Sequence, residues 1–218
     1  MPTIGEVFGR VRRTWHQKGT AATLRFLLSR LFRHQRHVTY EADCQVPRTP
    51  SCWESSERMI EIGPDNLDDN LTPELQKFLG GEEAYEGLQG VRGGNRLFVI
   101  TNGNEYVHRG YILFHTRQTK ILGDREGAPL IAYCATLPSA RGRGLYRRAL
   151  NAELCYLQRN GYTRALIETD PENLPSRRGI ESAGFKLAWE TRVWIIVNWL
   201  VVQRIRKNGV TRLACFRV

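Results

Sequence analysis

Apolar positions recur along this chain in two rhythms. Ile4, Val7, Phe8, Val11 and Trp15, and after Gly19 the set Leu24, Leu27, Leu28, Leu31 and Phe32, follow three- and four-residue spacing, which predicts two amphipathic helices. Thr20 or Thr23 can cap the second. Residues 38–42 read as a first strand, and Pro47, Pro50 and Ser51 break residues 47–56 into an irregular segment. Residues 66–79 and 82–88 read as short helices. Two apolar arms, 96–101 and 104–116, then flank Asn102-Gly103, the pair that most easily takes the positive φ angles of a tight type I′ hairpin turn. Alternation in the second arm sets Tyr111, Leu113 and His115 on one face and Ile112 and Phe114 on the other.

From Leu130 the rhythm shortens to a buried strand that stops at Pro138. The chain passes through Arg141-Gly142-Arg143-Gly144 into a helix, which closes at Gly161. Residues 163–169 form a second short apolar run, parallel to the first because a helical crossover joins them. Pro175 suits the first turn of the next helix and Gly184 its end. Residues 185–202 and 210–218 read as two strands of a hairpin around Lys207-Asn208-Gly209. The expected fold is a mixed α/β sheet with flanking helices.

With 218 residues, 41% hydrophobic and 25% charged, the chain holds one globular domain with appendages: a basic helical extension over residues 1–36 and a domain over 37–218. Five cysteines are an odd number and include no C-x-x-C pair, so neither a disulfide framework nor a zinc site is expected, and a reducing cytoplasm suits them. The N-terminal apolar residues are periodic and interrupted by Arg, unlike a signal peptide. The longest apolar run, 193–202, contains Asn198 and falls short of the ~20 residues that span a bilayer.

The net charge of +10 is unevenly placed. Glu6 is the only acid before Glu41, residues 54–86 are acidic, and beyond Glu190 every charge is basic. Such asymmetry points to an anionic surface or partner for the two ends. The N-terminal stripes therefore have three readings: packing on the domain or on a second copy in a homodimer, docking on the inner membrane surface as interfacial helices, and contact with nucleic acid, which no recognised motif supports. The acidic stretch is either a solvated face or a wall that attracts a cationic amine.

Strand, glycine turn and helix start together make an anion site. The first helical N–H groups lack partners and carry partial positive charge. Gly142 and Gly144 let a ligand approach that backbone, and Arg141 and Arg143 add full charges suited to a diphosphate. The glycine spacing is neither that of a P-loop nor that of a Rossmann turn.

The stretch resembles the acyl-coenzyme A site of the GNAT superfamily of N-acyltransferases. Thr136-Leu137-Pro138, then Arg141 and Gly144, fit that family's Arg/Gln-x-x-Gly-x-Gly/Ala turn, with Tyr146 where the family prefers Gly or Ala. Residues 166–173, Pro175 to Arg178, and Gly184-Phe185 match its fifth strand, the following Asn and the next helix in order. The resemblance implies a GNAT-like, mostly antiparallel sheet with a splayed parallel strand pair, binding acetyl-coenzyme A or another acyl-coenzyme A as cosubstrate. Cys134, Ala135 and Thr136 would pair with the pantetheine arm, in the manner of an added strand. Arg141, Gly142, Arg143, Gly144, Leu145 and Tyr146 would hold the diphosphate. Asn173 would contact the arm or cap the next helix.

The implied reaction is N-acetyl transfer to a primary amine of a small or envelope-associated acceptor. An alkyl ammonium has a pKa of about 10.4, so a base must take a proton. Glu168 is the first candidate on the resemblance, with pairing to a nearby Arg as the alternative role; Tyr133 and His115 are further candidates. The family often protonates the leaving thiolate with a tyrosine where this chain has Ile180. Either the thiolate leaves unaided or another hydroxyl, such as that of Tyr146, serves. A non-catalytic coenzyme-binding or scaffold protein on the same fold stays open, as does a nucleic-acid-associated basic protein.

Overall fold

The computed structural model of the protein describes residues 32–48, 50–114, 116–196 and 200–217. The two helices expected before residue 32 lie outside the described residues, as does His115. Among the described residues, no helix is long and apolar enough to cross a membrane and no cluster of His, Cys, Asp or Glu is arranged to hold a metal. Two compact units appear, residues 37–189 and residues 32–36 with 190–217.

In the larger unit the strands are β1 (Phe32–Asp43, from His37 onward), β2 (Glu57–Ile62), β3 (Arg96–Asn102), β4 (Glu105–Leu113), β5 (Leu130–Thr136) and β6 (Arg164–Thr169). They lie in the order β2-β3-β4-β5-β6-β1. Neighbours are antiparallel except β5 and β6, which the crossover helix makes parallel. Its helices are α1 (Leu67–Asn70), α2 (Pro73–Leu79), α3 (Gly81–Arg92), α4 (Arg117–Leu122), α5 (Leu145–Arg159) and α6 (Leu174–Ser182). This is the mixed, mostly antiparallel α/β sheet with one parallel pair that the sequence implies.

The core lies between the sheet and α5. Leu150, Leu154 and Leu157 on the α5 stripe pack with Phe98, Ile112, Ile131 and Ile167 from four adjacent strands, and with Ile180 and Phe185 from the α6 region. Each fully buried apolar side chain contributes roughly 1.5–3 kcal/mol. That burial fixes the helix start of α5 against the C-terminal ends of β5 and β6.

Three local expectations change. β1 begins at Phe32, the last apolar position of the expected second helix, so the strand starts earlier than residue 38. The β3–β4 turn uses Gly103-Asn104 as its loop, with Asn102 paired to Glu105, and only Gly103 has a positive φ, 59°. A positive φ at the first loop position alone is the type II′ pattern, which fits the strand twist as well as I′ does. β2 and α4 are additional elements, in segments whose Pro and polar residues mask the short apolar pattern.

In the smaller unit, residues 190–217 carry most of β7 (Lys186–Ile196) together with β8 (Leu200–Lys207) and β9 (Val210–Arg217), a meander paired from Glu190↔Arg206 through Lys207↔Val210. The long apolar run read as one strand is thus two. Asn208 and Gly209, at φ 50° and 77°, form the I′-type turn expected between the last two.

Glu57 ties the irregular segment to α5. Its side chain is fully buried, and Arg148 donates to both oxygens at 2.5 and 3.1 Å while Arg143 reaches it at 3.4 Å. Those hydrogen bonds from Arg148 hold the carboxyl below the usual carboxylate range although burial pushes the other way. Removing one partner of a buried pair costs about 3–5 kcal/mol, because the other charge stays buried and unmatched. Glu57→Ala should therefore lower the urea midpoint by an amount in that range, whereas Glu54→Ala, at the exposed end of the same network, should change it little. Equal effects from both variants would remove Glu57 from this role.

Candidate active site

Two residues of β5 pair with β6, Leu130 with Leu166 and Ile131 with Ile167, and beyond them the strands part. The cause is visible on the other edge of β5. Arg109 of β4 opposes Ala135 and Tyr111 opposes Ala132, so Tyr133 and Cys134 together face Gly110 alone. That is a β-bulge, and Tyr133 within it takes φ 54°, a left-handed conformation rare for a bulky residue. Strand polar groups beyond Ile131 are consequently left without β6 as a partner.

Below the bulge sits the carboxyl of Glu153, from α5. A Cβ added at Gly110 would collide with Glu153 Oε1 and lie 3.3 Å from Cys134 Sγ, so Gly at this point gives the carboxyl its space. Glu153 is fully buried, and among the described residues neither oxygen has a hydrogen-bond partner. Burial pushes its pKa up to about 8, making the neutral acid the form favoured at pH 7. On β4, His108 shares a 2.7 Å hydrogen bond between Nδ1 and Thr136 Oγ1, while its buried Nε2 has no partner among the described residues. Burial lowers the His108 pKa to about 4, so the ring is neutral. Sequence reading missed both residues. A signal existed for Glu153, since Ala149, Leu150, Leu154 and Leu157 define an apolar stripe into which position 153 falls.

Past Thr136 the chain makes a one-turn 3-10 segment (Pro138–Ala140) and reaches α5. Gly142 and Gly144 adopt φ 79° and 71°, and no atom lies within 4 Å of a Cβ built on either, so the backbone at the helix start is open to a ligand. Gly144 is the N-cap and has no side chain to satisfy the first N–H groups. A groove of about 410 Å³ runs here between α5 and α6, walled by Thr136, Arg141, Tyr146, Arg147, Gly179 and Ser182. The Tyr146 ring fits because position 179 is Gly, where a Cβ would approach its Cδ1 to 2.5 Å. Its hydroxyl is 3.4 Å from Ser176 Oγ, and burial raises its pKa, so it stays protonated.

Thr136, Arg141, Gly142, Gly144, Leu145 and Tyr146 are thus brought together along one groove. Arg143 is not among them. Its guanidinium is held by Glu54 at 2.7 Å and Glu57 at 3.4 Å, away from the groove, and Arg147 supplies the second cation instead. Arg143 precedes the N-cap Gly144, whose backbone is left-handed, so it lies on the turn and not on the helical face of Arg147. Cys134 points under the sheet toward Glu153, its thiol pKa raised well above normal by burial, and Ala135 pairs with Arg109. Asn173 caps α6, its Oδ1 accepting from Ser176 N at 3.2 Å. Ile180 is fully buried in the core.

On the opposite sheet face lies a second set. Tyr133 is 49% exposed and meets Tyr111 edge to face, with ring centroids 6.0 Å apart. Glu168 follows the last β6 residue that pairs with β5; its carboxylate accepts from Gln118 Nε2 at 3.2 Å and lies 2.6 Å from His37 Nδ1. Among the described residues its partners are His37 and Gln118.

The comparisons with known proteins agree in fold. Residues 68–185 match the model of the acetyltransferase (GNAT) family. Solved structures with the same fold include a GCN5-related N-acetyltransferase from Sphaerobacter thermophilus (18% identity, TM-score 0.52, 88% of this chain and 59% of that one). An acetyltransferase from the GNAT family of Colwellia psychrerythraea is similar at 15% identity and TM-score 0.52, over 75% of this chain and 55% of its own. A Drosophila protein matches at 15% identity and TM-score 0.52, over 81% and 57%. The chain therefore spans between half and two thirds of these relatives' lengths. No curated protein sequence matches it.

The buried acid gives a pH test. With a folded pKa near 8 against 4.5 unfolded, Glu153 binds its proton more tightly in the folded state, so its contribution is full below pH 4.5 and is lost as pH rises through about 8. Glu153→Gln, which cannot ionise, should match the parent near pH 5 and exceed it near pH 9, at ~1.4 kcal/mol per unit of pKa difference. Urea midpoints at both pH values check this. His108 slopes the other way, losing stability as pH falls toward 4, and cancels when variant and parent share a pH. A constant difference between them would show that Glu153 does not titrate in this window.

Proposed function

Because the chain belongs to the acetyltransferase (GNAT) family, we propose that it transfers an acyl group, in the simplest case acetyl, from acyl-coenzyme A to a primary amine of a small acceptor. The observation that carries this reading is the parting of β5 and β6 directly before the open glycine turn of α5. The groove supports a diphosphate at the N-terminus of α5, between the backbone N–H groups and the Arg141 and Arg147 guanidiniums. The fork supports an amide-containing arm laid along β5. Its thioester end then reaches the bulge, where β5 has parted from β6 and strand N–H groups can hydrogen-bond an oxyanion as it forms.

The amine enters from the face of Tyr133, Tyr111 and Glu168, where the hydrogen-bonded set of Glu168, His37 and Gln118 lies ready to receive a proton. On the groove side Tyr146 supplies the hydroxyl, held protonated beside Ser176. Ile180 supports a second reading, coenzyme binding without turnover, because it offers no proton to a leaving thiolate. A thiol pKa near 8.5 makes the thiolate a tolerable leaving group without an acid.

Calorimetry with acetyl-coenzyme A tests the site. Gly144→Glu places a carboxylate in the cradle and should abolish measurable binding; Arg147→Glu, on an exposed helix position that leaves the turn intact, should weaken it by tenfold or more. If both folded variants bind like the parent, the groove is not the coenzyme site.

For the basic N-terminal segment the proposal is a docking role, on an anionic surface or a second copy of the chain, supported by its charge pattern alone. Since β1 starts at Phe32, a truncation that spares the strand begins there. It should retain acetyl-coenzyme A binding and lose flotation with anionic vesicles, in a manner screened by salt, or lose self-association in light scattering. An unchanged truncated protein in both assays removes the docking role.

A further inference from the structure

We propose that His37 is the base of this site and that Glu168 is its positioning residue. The inference rests on the acyl-transfer reading above and assigns the proton within it. β1 and β6 pair antiparallel with Thr39 opposite Glu168, and His37, two residues before Thr39, shares the face of both. His37 Nδ1 lies 2.6 Å from Glu168 Oε2, and both side chains are largely withdrawn from solvent, 17% and 18% exposed. The other carboxylate oxygen accepts from Gln118 Nε2 of α4 at 3.2 Å. Each Glu168 oxygen is therefore occupied. His37 Nε2, in contrast, makes no hydrogen bond among the described residues and is not sealed from solvent.

A carboxylate on one ring nitrogen selects the tautomer with the proton there and turns the lone pair of the other nitrogen outward. Here Nδ1–H donates to Glu168 and Nε2 is the free acceptor. The pair flanks the opening of the fork, since Glu168 is one residue beyond Ile167, the last of β6 to pair with β5. Glu168 is the charged group bonded to His37, and Gln118, the α4 side chain that completes the set, is neutral.

In the step, His37 Nε2 takes one proton from the alkyl ammonium, giving an imidazolium beside the Glu168 carboxylate. The freed lone pair forms the C–N bond at the thioester carbon and the C–S electron pair departs on sulfur. The released thiolate takes the second N–H proton through solvent, and the imidazolium returns its own proton to water, which restores the neutral ring.

Nitrogen-15 NMR of the imidazoles in the full chain, with acetyl-coenzyme A bound, reads the tautomer. His37 should carry its proton on Nδ1, and Glu168→Gln should abolish that preference. Kinetics use acetyl-coenzyme A with a panel of primary alkyl amines and with hydroxylamine, which is already neutral at assay pH. His37→Gln and His37→Asn should lower alkylamine turnover by about 100-fold or more, spare the hydroxylamine reaction, and keep coenzyme affinity. Imidazole added to His37→Ala should restore part of the rate, and Glu168→Gln should displace the acid limb of the pH–rate profile. An Nε2–H tautomer in the parent, or His37 variants with the parent's rate and pH profile, would overturn the assignment. If the parent binds the coenzyme but acetylates none of the amines, the NMR result alone decides. Loss of coenzyme binding in the parent itself would instead count against the acyl-transfer reading, which keeps the two failures apart.

Discussion

The backbone of β5 turns left-handed at Tyr133, and that one residue decides where parallel pairing with β6 stops. A bulky side chain at positive φ costs on the order of 1–3 kcal/mol and persists only when its surroundings leave no alternative. Here the surroundings are specific. Gly110 supplies the single β4 residue opposite the bulge, the Glu153 carboxyl fills the space a β-carbon would need there, and Tyr111 packs on the exposed Tyr133 ring. Were β5 regular, β6 would continue beside it and the fork would close. The gap that can receive a ligand is therefore a product of three side chains and one missing one.

Charge is distributed by the same logic of neighbours. Four arginines crowd the start of α5, and their sequence positions alone would give them one task. Glu57 divides them: it draws Arg143 and Arg148 toward the irregular segment before β2, leaving Arg141 and Arg147 beside the groove. Arg141 is itself steadied, its Nε donating to Thr136 O at 3.2 Å. A cation already matched by a buried carboxylate has little left for a ligand. One held only by a backbone carbonyl keeps its charge available. Trp53 under the Arg148 guanidinium, at 5.3 Å, closes the first pair off further.

Much of this was legible in the sequence wherever a local rule acts alone. The β3–β4 hairpin, the glycine turn into α5, the parallel crossover to β6 and the proline-started α6 all follow from turn residues and periodicity, and all are present. What could not be read depends on partners distant in the chain. Arg143 is diverted by a residue 86 positions earlier and Glu168 by one 131 positions earlier. The bulge has no signature of its own, because Tyr133 sits in a run that looks like ordinary strand. Glu153 was readable as a carboxylate on an apolar stripe, yet its meaning needed Gly110 from another element. β2 and the division of the long apolar run into β7 and β8 were lost for a simpler reason: short strands offer too few alternations to stand out from their flanks.

The sheet separates two chemical environments that meet only at the fork. On the α5 side, burial keeps four groups beneath the bulge and along the groove neutral: Glu153 and Tyr146 protonated, His108 without its proton, Cys134 a thiol. A neutral lining suits the passage of an uncharged arm and leaves the attractive charge to the arginines at its far end. On the other side, Glu168, His37 and Gln118 form a hydrogen-bonded set with partial access to water, able to exchange a proton with it. Acyl transfer to an amine asks for that division, since the thioester must be shielded from water while the amine must be able to discharge a proton to it. A protein that merely bound a coenzyme would need the first environment and the groove. The presence of the second, placed one residue beyond the point where β5 and β6 part, is what turns the physical reading toward catalysis.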